Sequence, residues 1–216
     1  MSALKGRRAQ VLVAGPPLPF SGEPTTADGA RKVYQVTKAP FRLWAADAEI
    51  TVRRSPDGEE WDVVSPAEYT LDRLFGRVIF HDAQPEGTQV LVSGEYQLLS
   101  VAAAARSFSY SITATLQERA AFDDPDDFQR RRQTLLDVSG SIGRWYTLDP
   151  YFADALTSGE PVVIEIWSDR NATAPDLRVR ALLAQDQVSA EAAGLIEQEV
   201  EWEGTADIDG RAASIP

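Results

Sequence analysis

Apolar and polar residues alternate with a period of two along much of this chain. The alternating runs are short and are separated by clusters of Gly, Pro and Asp, which is how a succession of β strands reads in sequence. In the first hundred residues the pattern predicts strands near Gln10–Ala14, Lys32–Val36, Glu49–Arg53, Tyr69–Asp72, Arg77–Phe80 and Gln89–Leu98. Turn chemistry falls between them at Pro16-Pro17, Ser55-Pro56-Asp57-Gly58 and Pro85-Glu86-Gly87. Residues 15–30 hold too much Pro and Gly for a core element and read as a long N-terminal arm, ordered or flexible.

After Ser100 the character changes. Val101–Ala105 reads as a crossing segment between two regions, 1–100 and 101–216, which could also form one continuous domain. Arg106–Leu116 then alternates cleanly, with Phe108, Tyr110, Ile112, Ala114 and Leu116 on one face and Ser and Thr on the other, as a half-buried strand would. Further strands are expected at Gln133–Trp145, Pro161–Trp167, Leu177–Gln187 and Leu195–Glu203. Two helices interrupt them. One spans 124–132, with an acidic start, Pro125 at the first helical position and Arg130, Arg131 and Arg132 at its end, which complements the helix dipole. The other covers 148–156, with Asp149 as N-cap, Pro150 at its first position and a Gly159 stop.

Composition narrows the function classes. A chain of 216 residues can bury a substantial core, and with no cysteine it has neither a disulfide framework nor thiol chemistry. The N-terminal stretch carries charge without an apolar core, so no secretory signal is expected, and no run is long enough to cross a bilayer. The net charge of −12 is the reverse of what a nucleic-acid binder needs to neutralise phosphates. It suits simple solubility, or a surface along which DNA passes without adhering.

Catalytic chemistry finds little support. The one histidine, His81, sits beside Asp82 at a strand end, where such a pair is usually a turn feature. Without cysteine or a second histidine the usual transition-metal ligand sets are missing, and no phosphate-cradling glycine loop or nucleophile elbow occurs. The cluster Asp123, Asp124, Asp126 and Asp127 lacks the spacing of a calcium loop and is accounted for by helix capping. No cofactor, metal or catalytic residue is expected, and the chain reads as a non-enzyme.

The most unusual local feature is Leu195–Glu203. Glu197, Glu199, Glu201 and Glu203 share one strand face, and Ile196, Gln198, Val200 and Trp202 the other. Four like charges on one face repel unless they are solvated or paired. They form either a wet outer face, partly neutralised by Arg178 and Arg180, or an acidic wall along a pore.

The order of segments carries a resemblance. It runs through Val33-Tyr34-Gln35-Val36, Glu68-Tyr69-Thr70-Leu71-Asp72, Gly76-Arg77-Val78-Ile79-Phe80 and Val90-Leu91-Val92-Ser93-Gly94-Glu95-Tyr96. It continues with Asp137-Val138-Ser139-Gly140-Ser141-Ile142-Gly143-Arg144-Trp145, Gly159-Glu160-Pro161-Val162-Val163-Ile164 and Gly194-Leu195-Ile196-Glu197 through Trp202-Glu203-Gly204-Thr205. In this succession, from about residue 10 to 210, the chain resembles the major tail tube proteins of long-tailed, siphovirus-type bacteriophages.

That resemblance implies a mostly-β, tail-tube-type β sandwich or partial barrel with one or two short flanking helices and a long N-terminal arm. It implies a virion structural protein that self-assembles into stacked, hexameric rings in the host cytoplasm, forming a tail tube whose acidic lumen passes DNA without binding it. Its partners would be further copies of itself and other tail proteins: tape measure, terminator and distal tail. Glu197, Glu199, Glu201 and Glu203 become candidate lumen residues, and Trp145, Trp167 and Trp202 candidate core or inter-subunit aromatics. Phe20 and Asp57, from the segments 15–30 and 54–62 expected to bridge rings, become candidate inter-ring contacts together with Arg130 and Arg131. A tail terminator, a baseplate part, the inner tube of a contractile system or a β-sandwich binding module remain as alternatives.

Overall fold

The computed structural model describes residues 9–102, 104–119, 130–147, 150–190, 194–211 and 213–214. In chain order the strands are β1 (Gln10–Ala27), β2 (Val33–Val36), β3 (Thr51–Ser55), β4 (Asp62–Val63), β5 (Tyr69–Asp72), β6 (Arg77–Phe80) and β7 (Gln89–Val101). They continue with β8 (Ala105–Arg119), β9 (Arg130–Trp145), β10 (Val162–Trp167), β11 (Leu177–Ser189), β12 (Glu197–Gly204) and β13 (Ala213–Ser214). Among the described residues one α-helix, α1 (Tyr151–Ser158), lies between β9 and β10. The strands pair antiparallel and do not close into a barrel. The chain divides into two compact units, one made of residues up to 102 with 161–181 and 205 onward, the other of 103–160 and 182–204.

The first unit is a sandwich. One layer follows the order β4–β3–β7–β1–β10–β11, and a second is formed by β2, β6 and β5 with the last residues of β1. Strict alternation sends Tyr34 and Val36 of β2, Val78 and Phe80 of β6, Val52 of β3 and Val90 and Val92 of β7 into a single shared core. Trp44 fills its centre, and the Trp44 indole N–H donates to the Phe41 carbonyl at 2.9 Å, so the buried ring carries no unmet donor.

The expected arm is instead the second half of β1. Residues 17–24 pair with β7, with register shifts between Ala14 and Pro17 and between Phe20 and Glu23. Prolines are tolerated there for a physical reason. β10 pairs with Gln10–Val13 and β2 with Thr25–Ala27, so between them β1 has β7 on one edge alone, and a missing N–H can face the other edge. Gly22 adopts φ 65° at the second irregularity and its N–H donates to Ser93 Oγ at 2.9 Å.

In the second unit the order is β11–β12–β9–β8, with β8 at the edge. β8 and β9 form a long antiparallel hairpin whose register runs from Ala105↔Arg144 to Arg119↔Arg130. The helix expected over 124–132 is corrected at its end, because Arg130, Arg131 and Arg132 begin β9; residues 124–129 lie outside the described residues. The second expected helix is present as α1, with Pro150 as its N-cap rather than its first helical residue, while Leu148 and Asp149 lie outside the described residues. Gly159, at φ 69°, closes α1 by donating its N–H to Ala155 O at 3.1 Å. Phe152 of α1 is buried, and the Arg144 guanidinium lies 4.7 Å over its ring.

Candidate assembly surface

The register of β12, β9 and β8 sorts their side chains into two chemically opposite faces. Glu197, Glu199, Glu201 and Glu203 stand opposite Trp145, Gly143, Ser141 and Ser139 of β9. The last three in turn stand opposite Ser107, Ser109 and Ser111 of β8, with Asp137 opposite Thr113 beyond them. Directly paired residues share a face, so this side is a column of carboxylates beside two columns of small hydroxyl residues and glycine. Ser109 Oγ and Ser141 Oγ are 3.1 Å apart, bridging the two serine columns.

Arg106 brings a cation to the Trp145 end of this face. Its guanidinium lies 4.5 Å over the Trp145 ring and pairs with Glu197 at 2.6 Å. Glu199, Glu201 and Glu203 are exposed. Alternate residues of a strand are about 7 Å apart, where two charges in water repel by roughly 0.6 kcal/mol before salt screening, a cost a well-paired strand absorbs.

The expected neutralisation by Arg178 and Arg180 does not occur. Arg178 pairs with Glu165 and donates to the Leu74 carbonyl. Arg180 is buried and donates to the Trp44 carbonyl at 3.1 Å; burial pushes its pKa down, and the Asp207 carboxylate opposes that shift.

The opposite face is apolar. Val200, Trp202, Ile142 and Val138 are buried. Trp202 lies against Gly140, where an added Cβ would meet its ring at 2.5 Å and the Ser109 carbonyl at 2.2 Å. Gln198 and Arg144 interrupt this face as a polar pair. Arg144 Nε donates to Gln198 Oε1 at 2.7 Å, and Gln198 Nε2 donates to Asp186 Oδ1 at 2.6 Å. Sequence reasoning passed over this chain of contacts, although a Gln and an Arg at core-facing positions of alternating strands are its signal.

Along the hairpin away from Trp202, the apolar face becomes bare. Tyr110 and Ile112 are 39% exposed, Leu116 56% and Leu136 65%, all on one side by the register. β8 is also the edge strand, and from Ser107 to Gln117 it contains no charged residue and no proline. A long uncharged edge beside an apolar face is a template for pairing, which proteins otherwise blunt with Lys, Pro or bulges.

The other sequence candidates scatter. Trp202 is core, whereas Trp145 is half-buried on the acidic face and Trp167 donates its indole N–H to Glu165 Oε1 at 2.6 Å in the first unit. Phe20 is core too: it stacks on Phe41 and Trp44 at centroid distances of 5.8 and 6.4 Å, so its side chain is spent inside its own unit. The segment 54–62 is a tight β3–β4 connection. Asp57 Oδ1 accepts from Ser55 Oγ and from the Glu59 N–H, and that backbone bond holds its carboxyl below the usual range. Arg130 and Arg131 lie in β9 opposite Arg119 and Glu118. His81 is exposed, and its carbonyl accepts from Lys32 Nζ at 2.8 Å. The cluster Asp123, Asp124, Asp126 and Asp127 lies outside the described residues, and among the described residues no acidic or histidine cluster has metal-binding geometry.

No family model matches the chain, and no curated protein does. Among solved structures, the chain is similar to a chain from the tail of an empty GTA particle, obtained by helical refinement with C6 symmetry. The two share 10% identity with a TM-score of 0.45, over 55% of this chain and 87% of that one.

Proposed function

We propose that this chain is a structural subunit of a phage-type tail, and that copies associate through the β8 edge into rings that stack as the tail tube. The observation that carries the reading is the two-faced β8–β9–β12 sheet. One face is acidic and lined with small hydroxyls; the other is apolar and bare over Ile112, Leu116 and Leu136 at an unguarded edge. Strand pairing between copies would satisfy the outward N–H and C=O groups of β8, each bond contributing about 0.5–1.5 kcal/mol. The resemblance of the succession of sequence segments to siphophage tail tube proteins supports the same reading. In a ring, the Glu199–Glu201–Glu203 column would form a lumen wall that repels the DNA backbone.

Negative-stain electron microscopy of the purified chain tests this: hollow rings or tubes are expected. Single rings that never stack would reassign the chain to a ring-terminating component, and a monomer at high concentration would overturn the reading. Replacing Glu199, Glu201 and Glu203 by Lys should leave tubes that assemble but retain DNA; loss of assembly would put these residues at a subunit contact instead.

A further inference from the structure

The first unit holds a basic cleft in an otherwise acidic protein. About 460 Å³ in volume, it is lined by Arg42, Arg77 and Arg178 with Phe75, Trp167 and Leu98 among its apolar walls, and no carboxylate lines it. The Arg178 and Arg77 guanidiniums lie 4.5 and 5.0 Å from the Phe75 ring centroid, which fixes both beside the opening. The three cations are not equally neutralised. Arg178 pairs with the buried Glu165, but among the described residues Arg77 has only Asp72 at 3.9 Å, a carboxylate that Arg211 approaches more closely, at 3.3 Å. Arg42 donates to the Val36 and Thr37 carbonyls at 2.8 and 3.0 Å, and among the described residues it has no carboxylate partner. The cleft therefore presents positive charge over an apolar floor.

The same chain carries a segment of matching chemistry. The ten residues joining β8 to β9, Ala120 to Gln129, contain Asp123, Asp124, Asp126 and Asp127 with Phe122 and Phe128, and no cation. We propose that the Arg42–Arg77–Arg178 cleft is a docking site for the acidic 120–129 segment of a second copy. Carboxylates would meet the guanidiniums in charge-assisted hydrogen bonds while a phenylalanine enters against Phe75 and Leu98. One copy's cleft taking another copy's segment would be a contact between unlike surfaces, the kind from which rings and filaments are built. The inference rests on the self-association proposed above and names one contact that would drive it.

The test has two arms, both on the full-length chain. In the first, a synthetic peptide of residues 120–129 is titrated into the protein by calorimetry. Saturable binding is expected, weakened at least about tenfold by Arg42→Gln with Arg77→Gln, and equally by a peptide with its four Asp changed to Asn, which leaves the protein untouched. In the second, a cleft variant (Arg42→Glu, Arg77→Glu) is mixed with a segment variant (Asp124→Lys, Asp127→Lys). Each alone should fail to assemble and the mixture should assemble, because every reversed cleft then finds a reversed segment. No peptide binding, or variants that each form tubes like the parent chain, would overturn the docking while leaving the tail-subunit reading standing. Peptide binding without rescue in the mixture would overturn the second copy as occupant. A parent chain that binds the peptide yet never assembles would sink the tail-subunit reading and leave the cleft's preference for this segment in place.

Discussion

Gly140 is where the two-faced sheet has least room, and Gly140→Ala measures how much the close approach contributes. The new methyl would sit 2.2 Å from the Ser109 carbonyl oxygen and 2.5 Å from the Trp202 ring. The first obstacle is paired backbone and cannot rotate away, so β8 and β9 must separate or the indole must leave its site. Overpacking of this kind costs about 1–3 kcal/mol, against a gain of about 0.4–1 kcal/mol from a less flexible unfolded chain. The expected result is a net loss of about 1–2 kcal/mol, which at a urea slope near 2 kcal/mol/M moves the unfolding midpoint down by roughly 0.5–1 M. Gly143→Ala is the matched control: its methyl meets Ser107 Oγ at 2.4 Å, a side-chain atom free to turn, so that variant should stay within about 0.5 kcal/mol of the parent. The assay is urea unfolding of the unassembled chain, followed by tryptophan fluorescence. Equal midpoints for the two variants would refute the packing argument.

Three further outcomes follow from the same geometry. Trp202→Ala should cost about 3–5 kcal/mol by thermal or urea unfolding, because the ring is 1% exposed and leaves a large cavity over Gly140. Leu136→Ser with Leu116→Ser should leave the free chain within about 0.5 kcal/mol per site yet abolish assembly in sedimentation, since both side chains are more than half exposed in the single copy. The Asp28 carboxyl is held below its ordinary value of 3.8, chiefly by the Val33 N–H. A depressed folded pKa adds stability that is fully present above the unfolded value and disappears as pH falls through the folded one. The gap between the parent and Asp28→Asn should therefore be flat at neutral pH and close only below 3.8 in an acid titration of unfolding.

Much of the succession of strands along the chain was legible because alternation is a local signal. β5 and β6 stand where the pattern put them, and β8 and β12 show the expected division of faces residue by residue. The errors share a cause. Prolines in β1 read as an arm because sequence does not reveal which edge of a strand lacks a partner, and Arg130–Arg132 read as a helix end because dipole complementarity is as local a cue as strand pairing is distant. The acidic column of the candidate surface was visible from one strand. The serine columns beside it needed the β9 and β8 register, and Arg178 and Arg180 were given the wrong partners because those partners, Glu165, Leu74 and Trp44, are set by the fold. The basic cleft was invisible, since Arg42, Arg77 and Arg178 are brought together from three distant stretches.

Under the proposed assembly, the uncharged stretch Ser107–Gln117 of the β8 edge would set a trade-off between solubility and polymerisation. The surface that would let copies join is the one that limits how concentrated the free chain can become, so Lys or Pro introduced between Ser107 and Gln117 would raise the critical concentration for assembly and the solubility of the monomer together. Neither property could then be tuned alone at this edge, and the supply of free chain would become a control on when polymerisation begins.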